Sequence, residues 1–346
     1  MASTRPIVKV AAVQAAPVSF DLARSLQKLS KLTAEAAEAG ADLVVFPEGF
    51  LSAYPWRYAF DATIGAREPR GTVCSDNGPS LRVLRVDTAQ DDNGSPSTSI
   101  RPLKFLRLHL TYCLTQPGRT MCCCMLASSK RQVARSTARR CCSTGMARWC
   151  TNIASCKLIP TAAERLVWGR GAGDGLKVSQ TDVGKVGSLI CWENYMPMAR
   201  MALYQQGIEI YIAPNADDLP AWTASMQHIA KEGRCFVVSV NSVCKVSDFP
   251  PDYPPFTAEH PDRRPDGAQW EADDIVNHGG SCVVGPLGTF LAEPVWDKEE
   301  IIYADLKMAD ITESRLDFDP VGSYSRPDVF SLTVNTKPGT NVAFTS

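Results

Sequence analysis

Cys191 closes a short apolar run, Val186-Gly187-Ser188-Leu189-Ile190, and is followed by Trp192-Glu193-Asn194 and then by Pro197, a residue suited to the first turn of a helix. A cysteine in such a strand-to-helix turn resembles a nucleophile elbow. That turn presents the sulfur at the mouth of a sheet and aims backbone N–H groups at a developing anion. The attacking form is the thiolate, so a base or a cation must stand beside it. The four histidines, His109, His228, His260 and His278, are all remote in sequence from Cys191. Remoteness does not exclude Cys–His catalysis, and a carboxylate base with a lysine is also open. Glu48 is a candidate carboxylate, because it follows the apolar run Leu43-Val44-Val45-Phe46 and Pro47. Functional groups in α/β sheets gather just past the carboxyl ends of strands. Most free cysteines are small buried hydrophobes, and Cys235, Cys244 and Cys282, which lie in or beside strands, are read that way. His228, in a helical run with Trp222 and Met226, is read as a satisfied structural histidine.

The elements that position these groups fall into three blocks. In the first, to about Gly71, Ile7 to Gln14 reads as a buried strand. Asp21 can N-cap a helix carrying Leu22, Leu26, Leu29 and Leu32 at helical spacing, with Gly40 at its end. The strand 43–46 completes a βαβ unit, which predicts an α/β fold with a parallel or mixed sheet. The third block, from Lys157, predicts a strand into Cys191, a helix over 198–206, a strand over 208–212, a helix over 222–232 and a strand over 235–240. Gly279-Gly280 opens a hairpin turning at 285–288, and 300–306 is a last strand. Residues 313–346 carry little periodic signal and read as an extension able to pack on a neighbour.

The middle block, residues 72–156, differs in kind. It contains no glutamate, and residues 93–156 contain no acidic residue against ten lysines and arginines. Nine of the 13 cysteines lie there. No strand or helix period persists, a nucleic-acid patch lacks a fold signature, and no matched pair of C-x₂-C spacings supports a zinc site. The expectation is that much of this block is out-of-frame or intron-derived translation.

Composition narrows the classes further. A length of 346 residues with 45% hydrophobic content allows one sizeable domain. The net charge of -1 gives no pull toward nucleic acid or an anionic membrane. There is no 18-residue apolar run for a membrane span and no secretory leader pattern, so the expected location is the cytoplasm.

Phe46-Pro47-Glu48, Lys157-Leu158-Ile159-Pro160-Thr161 and Cys191-Trp192-Glu193-Asn194 resemble, in that order, the three signature segments of the nitrilase superfamily. The run Ala163-Glu164-Arg165-Leu166-Val167-Trp168-Gly169 resembles the segment after the family lysine, and Gly322-Ser323-Tyr324-Ser325-Arg326-Pro327-Asp328 a motif of the nitrilase branch. The resemblance implies a four-layer α-β-β-α sandwich over residues 1–312, a homo-oligomer, and no metal or organic cofactor. Cys191 would be the nucleophile, Glu48 the general base, and Lys157, with the N–H of Trp192, the stabiliser of the intermediate. Glu193 and Asn194 would shape the elbow, and Tyr54 and Trp192 would wall the pocket for a small-molecule nitrile. The activity implied is hydrolysis of a nitrile to a carboxylic acid and ammonia, with an amidase or cyanide hydratase as alternative. The pattern also implies a second glutamate upstream of the lysine, yet none occurs between Glu68 and Glu164. Ser155-Cys156 and Ser323 depart from it as well. An inactive or mispredicted relative lacking the central part of the fold is therefore the alternative of another class.

Overall fold

Ile7–Gln14 forms strand β1, whose residues from Val10 onward are all buried. The computed structural model describes residues 6–58, 108–114, 121–127, 148–150, 164, 171, 173–260 and 262–337. After β1, the Asp21 side chain accepts from the Arg24 amide at 3.0 Å and caps helix α1, Leu22–Glu38. This helix buries Ser25, Leu29, Thr33 and Ala36, one face at intervals of three and four residues. Gly40, at φ +80°, turns the chain into β2, Leu43–Val45, which lies parallel to β1 with Val10 opposite Leu43. The βαβ unit expected from the sequence is thus present.

Residues 72–156, whose sequence keeps no strand or helix period, include described strands. Three strands lie there: β3 (Leu108–Leu114), β4 (Met121–Ala127) and β5 (Arg148–Cys150). β4 runs parallel to β2, β3 antiparallel to β4, and β5 antiparallel to β3. The pattern that supports β3 is the alternation Leu108-His109-Leu110-Thr111-Tyr112, and β4 is a continuous apolar run of the kind a central strand carries. With β13 (Glu300–Lys307) antiparallel to β1, the first sheet has the order β13-β1-β2-β4-β3-β5.

A second, seven-stranded sheet is built from the third block. Its strands are β6 (Ser179–Thr181), β7 (Gly184–Ser188), β8 (Ile210–Pro214), β9 (Phe236–Val240), β10 (Val243–Lys245), β11 (Ile275–Val284) and β12 (Phe290–Trp296). They follow the order β10-β11-β9-β8-β7-β6, with β12 on β11. Helices α2 (Pro197–Tyr204) and α3 (Pro220–Gly233) connect the parallel strands β7, β8 and β9. Each begins with proline, whose missing N–H costs nothing in a first turn. The 285–288 turn closes with Gly288 N–H to the Gly285 carbonyl at 2.8 Å. Gly279 and Gly280 lie inside β11 rather than at its start, at φ +90° and +88°, beside a register shift.

Val10, Val44 and Phe46 from the first sheet side share one buried cluster with Ile210, Phe236 and Val283 of the second, so the inner faces of the two sheets make a common core. A second cluster, with Leu203, Trp222 and Met226, joins α2 and α3 to Tyr211 and Val237 on the other face of the second sheet. The architecture is α/β. Helix α4, Ala309–Ser314, crosses the 312/313 boundary, and residues 315–337 form neither helix nor strand. No described helix is long and apolar enough to cross a membrane.

Candidate active site

β7 ends at Ser188, Ile190 remains extended, and Cys191 then turns to φ +49° at the head of a short 3₁₀ turn, Cys191–Tyr195. A side chain in the left-handed region costs on the order of 1 kcal/mol and persists only where surroundings hold it. Here they do. Glu193 accepts from the Ile190 amide at 2.8 Å. The Asn194 amide nitrogen donates to the Leu189 and Cys191 carbonyls at 3.0 and 2.7 Å. The Tyr211 hydroxyl donates to Asn194 Oδ1 at 2.6 Å, and Arg200 donates to the Asn194 carbonyl at 2.7 Å. Arg200 is itself held by Glu232 at 2.8 Å. Glu193 and Asn194 are buried, and both bond to the backbone at 189–191.

This bracing gives a stability prediction. Asn194→Ala strands two carbonyls and a tyrosine hydroxyl in the interior and is expected to cost about 2–4 kcal/mol, read as a lower urea midpoint at unchanged slope.

Glu48 follows β2 in a tight loop and is almost wholly buried. Gly49 sits at φ +70°, where a Cβ would meet the Tyr54 amide at 3.1 Å, so the return of the chain toward Tyr54 needs glycine there. Tyr54 donates its hydroxyl to Glu164 Oε1 at 2.6 Å. Burial pushes the phenol well above its ordinary range, and the charges of Glu164, Glu48 and Cys191 push it further. The phenol therefore keeps its proton near neutral pH and donates it to Glu164. Tyr54 and Trp192 also pack against the core cluster that contains Cys191, Phe46 and Phe50.

The structure thus gathers Glu48, Tyr54, Cys191 and Trp192 into one neighbourhood. Lys157 lies outside the described residues. Glu164 is the site residue that the sequence reading passed over: it is buried, points at Tyr54, and stands downstream of Lys157 rather than upstream. Its signal was its position inside the run Ala163-Glu164-Arg165-Leu166-Val167-Trp168-Gly169.

The other flagged residues fall elsewhere. Cys235, Cys244 and Cys282 are buried, and burial pushes each thiol up to about 12, which leaves them protonated and inert near neutrality. His228 is mostly exposed on α3, 3.7 Å from Glu232, so the surface, not the core, is its place.

Comparison with known proteins agrees with this geometry. The carbon-nitrogen hydrolase family profile matches residues 9–86 and 155–316, more than half of the chain. A nitrilase of Bradyrhizobium diazoefficiens is 39% identical, with 98% of this chain and 95% of that protein covered. Nitrilase 2 of Arabidopsis thaliana is 38% identical over 98% of this chain and 92% of its own length. A protein of Lupinus angustifolius named as a bifunctional nitrilase/nitrile hydratase is 36% identical over 99% of this chain and 90% of its own length. Among solved structures, a carbon-nitrogen hydrolase from Helicobacter pylori G27 has the same fold, with a TM-score of 0.57 at 17% identity, covering 93% of this chain and 97% of that one. A thiol on a strained elbow, two buried glutamates, and matches to this family on both sides of the middle block lead to one placement: the chain belongs to the carbon-nitrogen hydrolase family, in its nitrilase branch.

Proposed function

We propose that the chain hydrolyses nitriles to carboxylic acids and ammonia through a thioester on Cys191. The observation that carries this reading is the 2.6 Å bond from the Tyr54 hydroxyl to buried Glu164, made by a ring that packs on the core cluster containing the Cys191 elbow. Glu48 takes the thiol proton, and the sulfur attacks the nitrile carbon to give a thioimidate. Lys157 and the Trp192 N–H hold the charge on the former nitrile nitrogen. One water adds, ammonia leaves and a thioester remains. A second water, activated by Glu48, releases the acid and restores the thiol. Glu164, anchored by the Tyr54 hydroxyl, supplies the second carboxylate that orients water and lysine. No step calls for a metal or an organic cofactor.

The same reading extends to a four-layer α-β-β-α sandwich, a homo-oligomer and a cytoplasmic location. The name of the Lupinus relative, which pairs nitrilase with nitrile hydratase, favours an amide as a second product. A panel of nitriles and matching amides, followed for ammonia and for amide by chromatography, tests both products. Ammonia in step with acid from nitriles is expected. Turnover of amides alone would replace the proposal with an amidase.

One observation favours an inactive relative as second reading: the family profile breaks between residues 86 and 155. We attribute this break to out-of-frame or intron-derived translation within residues 72–156. A mature transcript encoding that stretch without interruption would refute the attribution.

A further inference from the structure

The structure assigns Asp217 as a positioning residue for the nucleophile: its carboxylate clamps the indole of Trp192, the residue that follows Cys191. This inference rests on the proposed role of Cys191. β7 and β8 are parallel neighbours, with Ser188 opposite Ile212, so the elbow after β7 and the loop after β8 emerge at the same edge of the sheet. In that second loop Asp217 divides its two oxygens. Oδ2 accepts from Trp192 Nε1 at 2.7 Å, and Oδ1 accepts from the Leu219 amide at 3.0 Å.

Asp217 is itself immobilised from behind. Its amide donates to Asn215 Oδ1 at 3.0 Å, and its carbonyl accepts from Asn241 Nδ2 at 3.1 Å. Both asparagines are almost fully buried, and Asn215 is tied to the Val240 carbonyl at 3.3 Å. A continuous set of bonds therefore runs from the end of β9 through Asn215 and Asp217 to the indole. The indole also meets the Tyr195 ring at 6.2 Å, and Tyr195 meets Trp222 edge-on at 5.7 Å. An indole fixed at its tip and along its side fixes its own backbone, and with it the Trp192 N–H to which the proposed function assigns the charge on the former nitrile nitrogen. A short charge-assisted bond to a rigid acceptor is the economical way to hold that amide still.

Because both oxygens accept from N–H donors, asparagine at position 217 can satisfy only one of them. Its NH₂ must then face a donor. With phenylalanine at 192 the indole donor is gone, and asparagine can keep the Leu219 bond without conflict. The test is a double-mutant cycle of Asp217→Asn and Trp192→Phe. It is read by kcat on whichever nitrile or amide the enzyme turns over, and separately by the rate of Cys191 alkylation with iodoacetamide. Asp217→Asn is expected to lower kcat about tenfold with Trp192 present, the loss of one charged hydrogen bond, with KM within about twofold. Alkylation should slow in parallel. In the Trp192→Phe background the same change should move neither quantity by more than about twofold. Equal losses in both backgrounds would show that Asp217 only stabilises its own loop, and would overturn the clamp. An enzyme that alkylates normally but turns over neither nitrile nor amide would overturn the proposed function, while the alkylation cycle would still decide the clamp.

Discussion

Replacing Cys191 with alanine is expected to lower ammonia release from a nitrile by about 10⁴-fold or more, because removal of a covalent nucleophile removes the reaction path itself. The fold should scarcely notice. The sulfur is small, and the elbow is held by bonds to the backbone at 190 and 191, from Glu193 and Asn194. A stability change of about 1 kcal/mol or less is the ordinary range for such a deletion. Cys191→Ser keeps the shape and still loses most of the rate, since a hydroxyl is far harder to deprotonate than a thiol. Peptide mapping after brief iodoacetamide treatment provides the companion measurement. Cys191 should label ahead of Cys235, Cys244 and Cys282, whose thiols burial holds at about 12. Preferential labelling of any of those three, or near-native ammonia release by the alanine variant, would remove Cys191 from the mechanism.

The parts of this site that were legible in the sequence are those written in local chemistry. Asp21 before a helical period, Pro197 at a first turn and an apolar run ending in Cys-Trp-Glu-Asn each state their structure within a few residues. The structure matches them closely. What was not legible is whatever distance in the chain conceals. Glu164 meets Tyr54 across 110 positions, and no spacing along the chain announces that bond. The clamp from Asp217 to Trp192 is hidden for the same reason, since it depends on β7 and β8 lying side by side. The strands at 108–114 and 121–127 were obscured differently. Cysteine is a weak marker of strand, and a run such as Met-Cys-Cys-Cys-Met fits a buried strand and a non-coding translation alike. The pairing of this run with β2 depends on a partner distant in the chain and leaves no mark in the run itself.

Glu48→Gln is the second large effect, and it separates the two buried carboxylates. As general base, Glu48 must accept the thiol proton and later a proton from water. Glutamine can do neither while filling the same space. A loss of about 10³-fold in kcat is expected, with KM little changed, because the carboxylate acts on protons rather than on substrate binding. Glutamine fills the same volume at this buried position, so stability should change by about 1 kcal/mol or less. The contrast is diagnostic: activity falls steeply while the unfolding midpoint scarcely moves, as for a residue kept for chemistry and not for the fold. Glu164→Gln should differ. Its side chain can still accept from the Tyr54 hydroxyl through the amide oxygen, so the loss should be about 10–100-fold, and Tyr54→Phe should cost about tenfold by freeing the same carboxylate. Combining Tyr54→Phe with Glu164→Gln should cost less than the product of the two separate losses, since both loosen one bond. Were Glu48→Gln milder than Glu164→Gln, the base would be Glu164, and the proton path from Cys191 would run toward the segment that follows Lys157 instead of the loop after β2.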